Sequence, residues 1–595
     1  MSVEQDSLFC ILPVELIHLI FRHLDTQTIV HSFRLVCKRF HNMVDMYDEF
    51  DINFKSVLKS DFHYVCNVIP PENIKLLTLS DDDETPGQTE CFLSRFHIEQ
   101  FTKLRSLTLL EIDDRCLSMI LKDVHRLELI ELIIVSKEEF TKNNTIIDDL
   151  SSTVCLHTLR KLTLDIVDID ISEIVWSVEC TLQHLEIHCD TCDAYCNILY
   201  HLPNLRTLVV ERLCMANMNA SMPELANPTS FHQLSSLTFK YCTINMLMLE
   251  LLLSQTPALE HLRLMRCVYI RDFMSHLSQW QNFIETRLVS LSKFEFFLTE
   301  TFQIVTTPAY IEQLIAPFRT TFWTETKRWF VICDYSTNSQ HLMLYSSSMY
   351  DPQFRYNLES KRFSRSTSVP TIINTVIMDG IRNVYLNLSQ KMFSVTSFQN
   401  NLPSAPMFTK VDYLKLSLNH NWPTYSLRVL SSLINLSYLT KISIETGEAS
   451  DYDPNLMINI CSLLKLTPNV HSLKMTRGMS TRDRDIKTFS LISDHIRHLT
   501  VSVSTVTQMS KAIQKVGYRS SIKLYMDTFG DSSKIAIQQF QHENEYYSYR
   551  LKRGSLSIWL DKNAYITKQA ANQNNIEQTD QDLETFSTFF IPNTK

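Results

Sequence analysis

The sequence predicts an α/β protein: a short N-terminal helical block, then a long repetitive solenoid whose curved parallel sheet carries helices on its convex side. Three observations predict it. A cassette of the form L-x-x-L-x-L recurs every 23 to 32 residues over most of the chain. A proline-led helix with apolar residues on two sides opens it. Only 7 of the 595 residues are glycine, which suits repeated short strands and helices and starves the glycine-dependent folds.

The glycines exclude more than the charge does. They stand at 87, 380, 447, 478, 517, 530 and 554, and the nearest two are 13 apart. Phosphate-cradling loops and the nucleophile elbow need glycines within a few residues of each other, so the common dinucleotide, P-loop, kinase and α/β-hydrolase signatures are absent. With 56 basic against 65 acidic residues the net charge is −9, and 44% of the chain is hydrophobic. That is a folded chain with no general attraction for nucleic acid. No apolar run reaches the ~18 residues of a membrane helix, and Glu4 and Asp6 stand where a secretory leader would carry lysine. The expected location is the cytoplasm, the nucleus or both. Fifteen cysteines, an odd number thinly spread, are expected to be reduced thiols.

The first helix begins at Leu12-Pro13-Val14-Glu15-Leu16. Proline suits a first turn, where its missing N–H costs nothing, and Glu15 complements the positive end of the helix dipole. Ile17, Ile20, Phe21 and Leu24 form one stripe at i, i+3, i+4 and i+7, while Leu16 and Leu19 widen the apolar surface. A second helical stretch carries Ile29, Phe33, Val36, Cys37 and Phe40. About 40 residues cannot bury two such faces alone, so the block must dock on something.

These residues, with Leu24-Asp25 and Val36-Cys37-Lys38-Arg39-Phe40, resemble the F-box, a three-helix motif, from about Leu8 to Phe50. The resemblance implies a Skp-family adaptor as partner, and through it a cullin-RING ligase. The adaptor-binding residues it implies are Leu12, Pro13, Leu16, Ile17, Ile20, Phe21, Leu24, Val36, Cys37 and Phe40.

The cassettes follow. Nine precede residue 300, centred on Leu77, Leu107, Leu132, Leu162, Leu185, Leu208, Leu237, Leu262 and Phe294. Five more are centred on Val384, Leu414, Ile442, Leu473 and Leu499. The periods match leucine-rich repeats, one short strand and a helical return per unit. Met246 to Leu253 reads as such a return, stopped at Pro257. Sequential strand, helix, strand connections give a parallel sheet curved into an arc. Cys242 and Cys267, three residues after Phe239 and Leu264, hold the Asn/Cys position of the repeat and are expected to be buried. The whole resembles the F-box proteins with leucine-rich repeats.

The expected divisions are an F-box at 8–50, a linker at 51–70 and a first repeat block at 71–300. An insertion with hairpin strands at 301–375 precedes a second repeat block at 376–515. A C-terminal cap at 516–568 and a mobile Gln/Asn-rich tail at 569–595 complete the chain. The insertion holds Trp323, Trp329 and the alternating stretch from His341 to Tyr345.

Alternation puts the leucines of each cassette inside and the residues between them on the inner arc. His184, Glu186, His188, Glu211, Lys240, His261, Arg263 and Met265 are therefore the candidate substrate-binding row, mixed in sign and suited to a polar protein surface. Cys180, Cys189, Cys192 and Cys196 include a C-x-x-C spacing, but it closes a repeat strand, so packed thiols are expected and no metal. The run Asp81-Asp82-Asp83-Glu84 lacks the spaced ligands and glycine of a calcium loop and is expected to be a solvated loop. The basic cluster Lys361-Arg362-Phe363-Ser364-Arg365 is expected to be a surface patch. No H-E-x-x-H occurs, and no cofactor or membrane contact is expected.

The resemblance then implies a non-catalytic adapter that presents a protein substrate for ubiquitin transfer. The alternative is a repeat scaffold unconnected with ubiquitination.

Overall fold

The computed structural model describes residues 12–560 apart from internal segments, of which 215–230, 368–380, 389–405, 477–491 and 527–547 are the longest. The tail from Gln569, and Lys361 of the basic cluster, lie outside the described residues.

Helix α1 (Val14–Phe21) starts where Pro13 leaves the chain extended. Helix α2 runs over 26–36 with a π-wound turn at Ile29–Phe33, and Asp25 caps it by accepting the Thr28 N–H at 2.7 Å. Cys37, fully extended, breaks the chain before α3 (Lys38–Asp45). These are three helices, as the resemblance to the F-box implies.

The strands then run β1 (Phe50–Asn53), β2 (Ile74–Ser80), β3 (Ser106–Leu110), β4 (Glu131–Ser136) and β5 (Lys161–Ile166). They continue as β6 (His184–His188), β7 (Thr207–Glu211), β8 (Ser236–Lys240), β9 (His261–Met265) and β10 (Lys293–Thr301). Each pairs in parallel with the next. The central cassette residues stand opposite each other in register, and Leu107, Leu132, Leu185 and Leu262 are all fully buried. Each inward leucine stands opposite the same position of the next strand, so the buried leucines form one apolar column across the sheet. The helix Met246–Ser254 is the return read in the sequence, capped by Asn245. The Cys242 and Cys267 thiols are buried, and Cys267 Sγ donates to the Phe239 carbonyl at 2.9 Å.

After β10 the pattern changes. Strands β11 (Val331–Ser336) and β12 (His341–Ser346) form an antiparallel hairpin, and β12 adds antiparallel to β10. Trp323 and Trp329 are buried beneath. Strand β13 (Gln353–Tyr356) leaves to start a second sheet, while β14 (Arg362–Ser366) closes the first one, of 13 strands. The second sheet has nine. It continues in parallel through β15 (Asn383–Leu388), β16 (Tyr413–Leu418), β17 (Lys441–Thr446), β18 (Ser472–Thr476), β19 (His498–Val503) and β20 (Ser521–Met526). Strands β21 (Ser548–Lys552) and β22 (Ser555–Trp559) finish it antiparallel.

Two expectations are corrected. Residues 51–70 are no linker: β1 is the first strand of the large sheet, and the helix Lys59–Val68 buries Phe62 and Val65. A single strand with no cassette of its own carries too little periodicity to be read. The acidic run is no solvated loop either. Asp81 and Glu84 are buried; Glu84 lies 2.7 Å from Lys441 and Asp83 2.7 Å from Lys523, on strands more than 350 residues later. The cations that bury it are supplied from the other end of the chain, where local sequence gives no sign of them.

Candidate functional site

Two surfaces come into question. In the N-terminal block, Ile17, Phe21, Val30, Phe40 and Val44 pack inward, with Phe21 edge-on to Phe33 and Tyr47. His18 Nε2 meets the Met43 carbonyl at 3.0 Å, which ties α1 to α3. This packing corrects the adaptor-binding set: Ile17, Phe21 and Phe40 are core residues that hold the helices together. Leu12, Ile20 and Leu24 are half-buried, and Pro13 and Cys37 are exposed.

What remains outside is strongly apolar. Leu16 is 45% exposed, Val36 65% and Leu35 66%, with Leu19 also exposed. Arg39 donates to the Leu12 carbonyl at 2.6 Å, so the start of α1 sits beside the start of α3. Pro13 and Leu16 therefore lie at the same end of the block as Leu35, Val36 and Cys37. Leu19 and Leu35 were missing from the set read in the sequence. Their signal was there, since both lie off the buried stripe, but alternation of apolar residues around a short helix does not say which side a partner will cover.

The second surface is the strand face between the leucines. His188 is buried, with Nε2 3.0 Å from Asp165 Oδ1 and 3.2 Å from Glu211 Oε2. The hydrogen bond to Asp165, then that to Glu211, raises its pKa to about 9, so it carries a proton at neutral pH. Burial pushes Glu211 up, but His188 and Lys240 outweigh it and hold the carboxyl at about 2. Lys240 Nζ bridges Glu211 at 2.9 Å and Glu186 beside it. Further along, Glu295 is buried and accepts from His261 Nε2 at 2.9 Å and Arg263 Nη2 at 2.6 Å, with Lys293 at 3.1 Å. Against the cost of burial, these donors keep it well below the usual carboxylate range.

Most of the row read from the sequence is thus brought together, and it is satisfied from within. His184 is half-buried next to it, where burial lowers its pKa. Met265 belongs elsewhere: it packs on the small apolar cluster of Phe297, Ile332 and Tyr345. Asp165 and Glu295 were missed, although they occupy the same outward positions, one just beyond Leu164 and the other between Phe294 and Phe296.

Among the described residues, the His, Cys, Asp and Glu donors that converge closely enough to share an ion are Asp165, His188 and Glu211, within 4.8 Å. None of the four clustered cysteines belongs to that group. Cys180 Sγ donates to the Val154 carbonyl and Cys189 Sγ to that of Thr191, and burial pushes the Cys189 thiol up to about 12. A metal at the Asp165 group would have to displace both the His188 proton and the Lys240 ammonium.

The F-box domain model matches residues 9–51. The chain therefore carries an F-box domain. No curated protein matches the chain. Among solved structures it is similar to a chain of the Toll–Spatzle complex, a molecular hub in Drosophila development and innate immunity, at 10% identity and a TM-score of 0.23. That alignment covers 74% of this chain and 53% of the other, about half its length. No helix among the described residues is long and apolar enough to cross a membrane.

Proposed function

We propose that this chain is the substrate-recognition subunit of an SCF ubiquitin ligase. The F-box binds a Skp-family adaptor and through it a cullin-RING ligase, and the strand face of the leucine-rich-repeat arc holds a protein substrate. Such a complex works in the cytoplasm, the nucleus or both. The chain contributes proximity and no covalent step: it raises the effective concentration of substrate lysines at a charged conjugating enzyme.

The observation that carries the reading is the exposed apolar end of the F-box. Leu16, Leu35 and Val36 are each close to half exposed or more, an arrangement a folded chain keeps only where a partner covers it. The test is Leu16→Glu with Leu35→Glu. Both side chains are outside the core, so the variant should fold, but two charges in a desolvated contact cost several kcal/mol. Adaptor capture from purified components should be lost. Undiminished capture by the folded variant would sink the assignment.

A further inference from the structure

The two sheets differ in the charge of their strand faces. On the first sheet Lys240, Arg263 and Lys293 of β8, β9 and β10 each meet a carboxylate. On the second, register places Tyr385, Lys415, Ser443, Lys474, Thr500 and Lys523 opposite one another across β15 to β20. Lysine therefore recurs on every second strand. A neighbouring rung adds Tyr413 and Lys441.

The rings beside these lysines favour them further. Lys415 lies 5.9 Å from the Tyr385 ring centre, and Lys474 and Lys523 lie 5.6 Å and 4.8 Å from that of Tyr525. The face already holds carboxylates. Glu84 and Asp83 of the acidic loop sit on Lys441 and Lys523 beside a cleft of about 140 Å³ that Tyr413, Lys474 and Thr500 also line. Burial pushes Glu84 up, yet His498 and Lys441 hold it at about 2, so it sits there as an anion. Lys415 is paired with Glu445 at 2.9 Å. Lys474, half-buried in the middle of the ladder, has no acidic partner among the described residues.

We propose that this lysine ladder binds an extended, multiply anionic segment of a protein partner, and that the acidic loop occupies part of the same face in cis. Neighbouring strands lie ~4.8 Å apart, so the lysines of β16, β18 and β20 recur at ~10 Å, and an extended peptide covers that in about three residues. A segment crossing the strands in the polyproline II conformation, with three residues per turn, would turn every third side chain toward a lysine. Carboxylates and phosphates share the chemistry. The inference rests on the proposed function only in taking the partner to be a substrate; peptide binding itself requires no adaptor.

The experiment is fluorescence anisotropy on the full chain with labelled peptides of about twelve residues, long enough to reach all three lysines. One carries glutamate at every third position, one phosphoserine there and one glutamine, and an oligothymidylate of similar length is the fourth probe. The glutamate or the phosphoserine peptide should bind, with affinity falling as salt rises, and the tighter of the two identifies the anion. The glutamine peptide should not bind. Lys474→Glu should weaken binding by at least about tenfold, and Asp83→Asn with Glu84→Gln should tighten it by freeing Lys523 and Lys441. The Leu16→Glu, Leu35→Glu variant should bind peptide normally, which separates failure here from failure of the F-box reading. Equal binding of the glutamine peptide, indifference to Lys474→Glu, or tighter binding of the oligothymidylate would each overturn the proposal.

Discussion

Trp559 donates its indole N–H to the Val57 carbonyl at 3.2 Å, joining positions 502 residues apart. The ring is fully buried, edge-on to Phe62 at 5.4 Å, and belongs to the hydrophobic core of the first sheet although it is the last residue of the second. Nearby, Lys59 donates to Ser548 Oγ at 2.9 Å and Arg550 to the Asp81 carbonyl at 2.8 Å. The stretch after β1 and the acidic loop after β2 are thus fastened to the second sheet, by apolar burial at Trp559 and by ion pairs at Asp83 and Glu84.

Trp559→Ala should loosen that junction. Removing a buried aromatic costs about 3–5 kcal/mol, spent here on one contact between two large sheets. The expected outcome is faster amide exchange in the helix Lys59–Val68, with the exchange of β6 to β8 unchanged. Unaltered exchange at Phe62 and Val65 would show that the C-terminal strands do not hold the start of the chain.

Within the F-box, core and surface should separate cleanly. Phe40→Ala should destabilise the block by about 3–5 kcal/mol and lose adaptor capture together with helical signal. Leu35→Glu changes a side chain that is 66% exposed, so stability should shift by no more than about 0.5 kcal/mol while capture falls. Circular dichroism melts alongside pull-downs would check both, and a melt lowered equally by the two variants would contradict the division.

How much of this was legible is clearest at particular residues. The leucines at 107, 185 and 262 could be placed in the core because each repeat states its own period, and the repeats agree with one another. The hairpin at His341 announced itself by strict alternation. What the sequence hid is whatever depends on distant partners. The four acids at 81–84 look solvated until Lys441 and Lys523 arrive, and Lys240 looks free until Glu186 and Glu211 flank it from two other strands. Strand β1 hid for another reason: four residues pairing with an established strand need no pattern of their own.

The His188 cluster should give stability a defined pH dependence. Its folded pKa, about 9, lies above the ordinary 6.5. Its contribution is therefore fully present below pH 6.5 and is lost as pH rises toward 9. Glu211, lowered to about 2 from 4.5, acts in the opposite direction: its contribution is present above pH 4.5 and fades as pH falls toward 2. Urea titrations of the wild-type chain and of His188→Gln should differ by roughly 1.5–3 kcal/mol at pH 6, and the gap should narrow by pH 9. A gap that stays constant across that range would mean that the imidazole is not charged in the folded protein.

Charge reversal on the same face needs a design that allows for the network. If Lys240 and Arg263 simply faced solvent, replacing both by glutamate would spare the fold and report on substrate alone. Lys240 instead neutralises Glu186 and Glu211, and Arg263 neutralises Glu295, which is 2% exposed. Lys240→Glu would gather three carboxylates around one point, and breaking such a partly buried pair costs about 3–5 kcal/mol. The single reversal should therefore lower the melting temperature by several degrees whether or not a substrate binds there. Neutralising one pair instead, Lys240→Gln with Glu186→Gln, removes one cation and one carboxylate and leaves the His188–Glu211 contact in place, so most of the loss should be recovered. Substrate capture by that double variant is then the measurement that counts. Capture lost while stability returns would place the substrate on this row, and capture retained would move it to the lysine ladder of the second sheet.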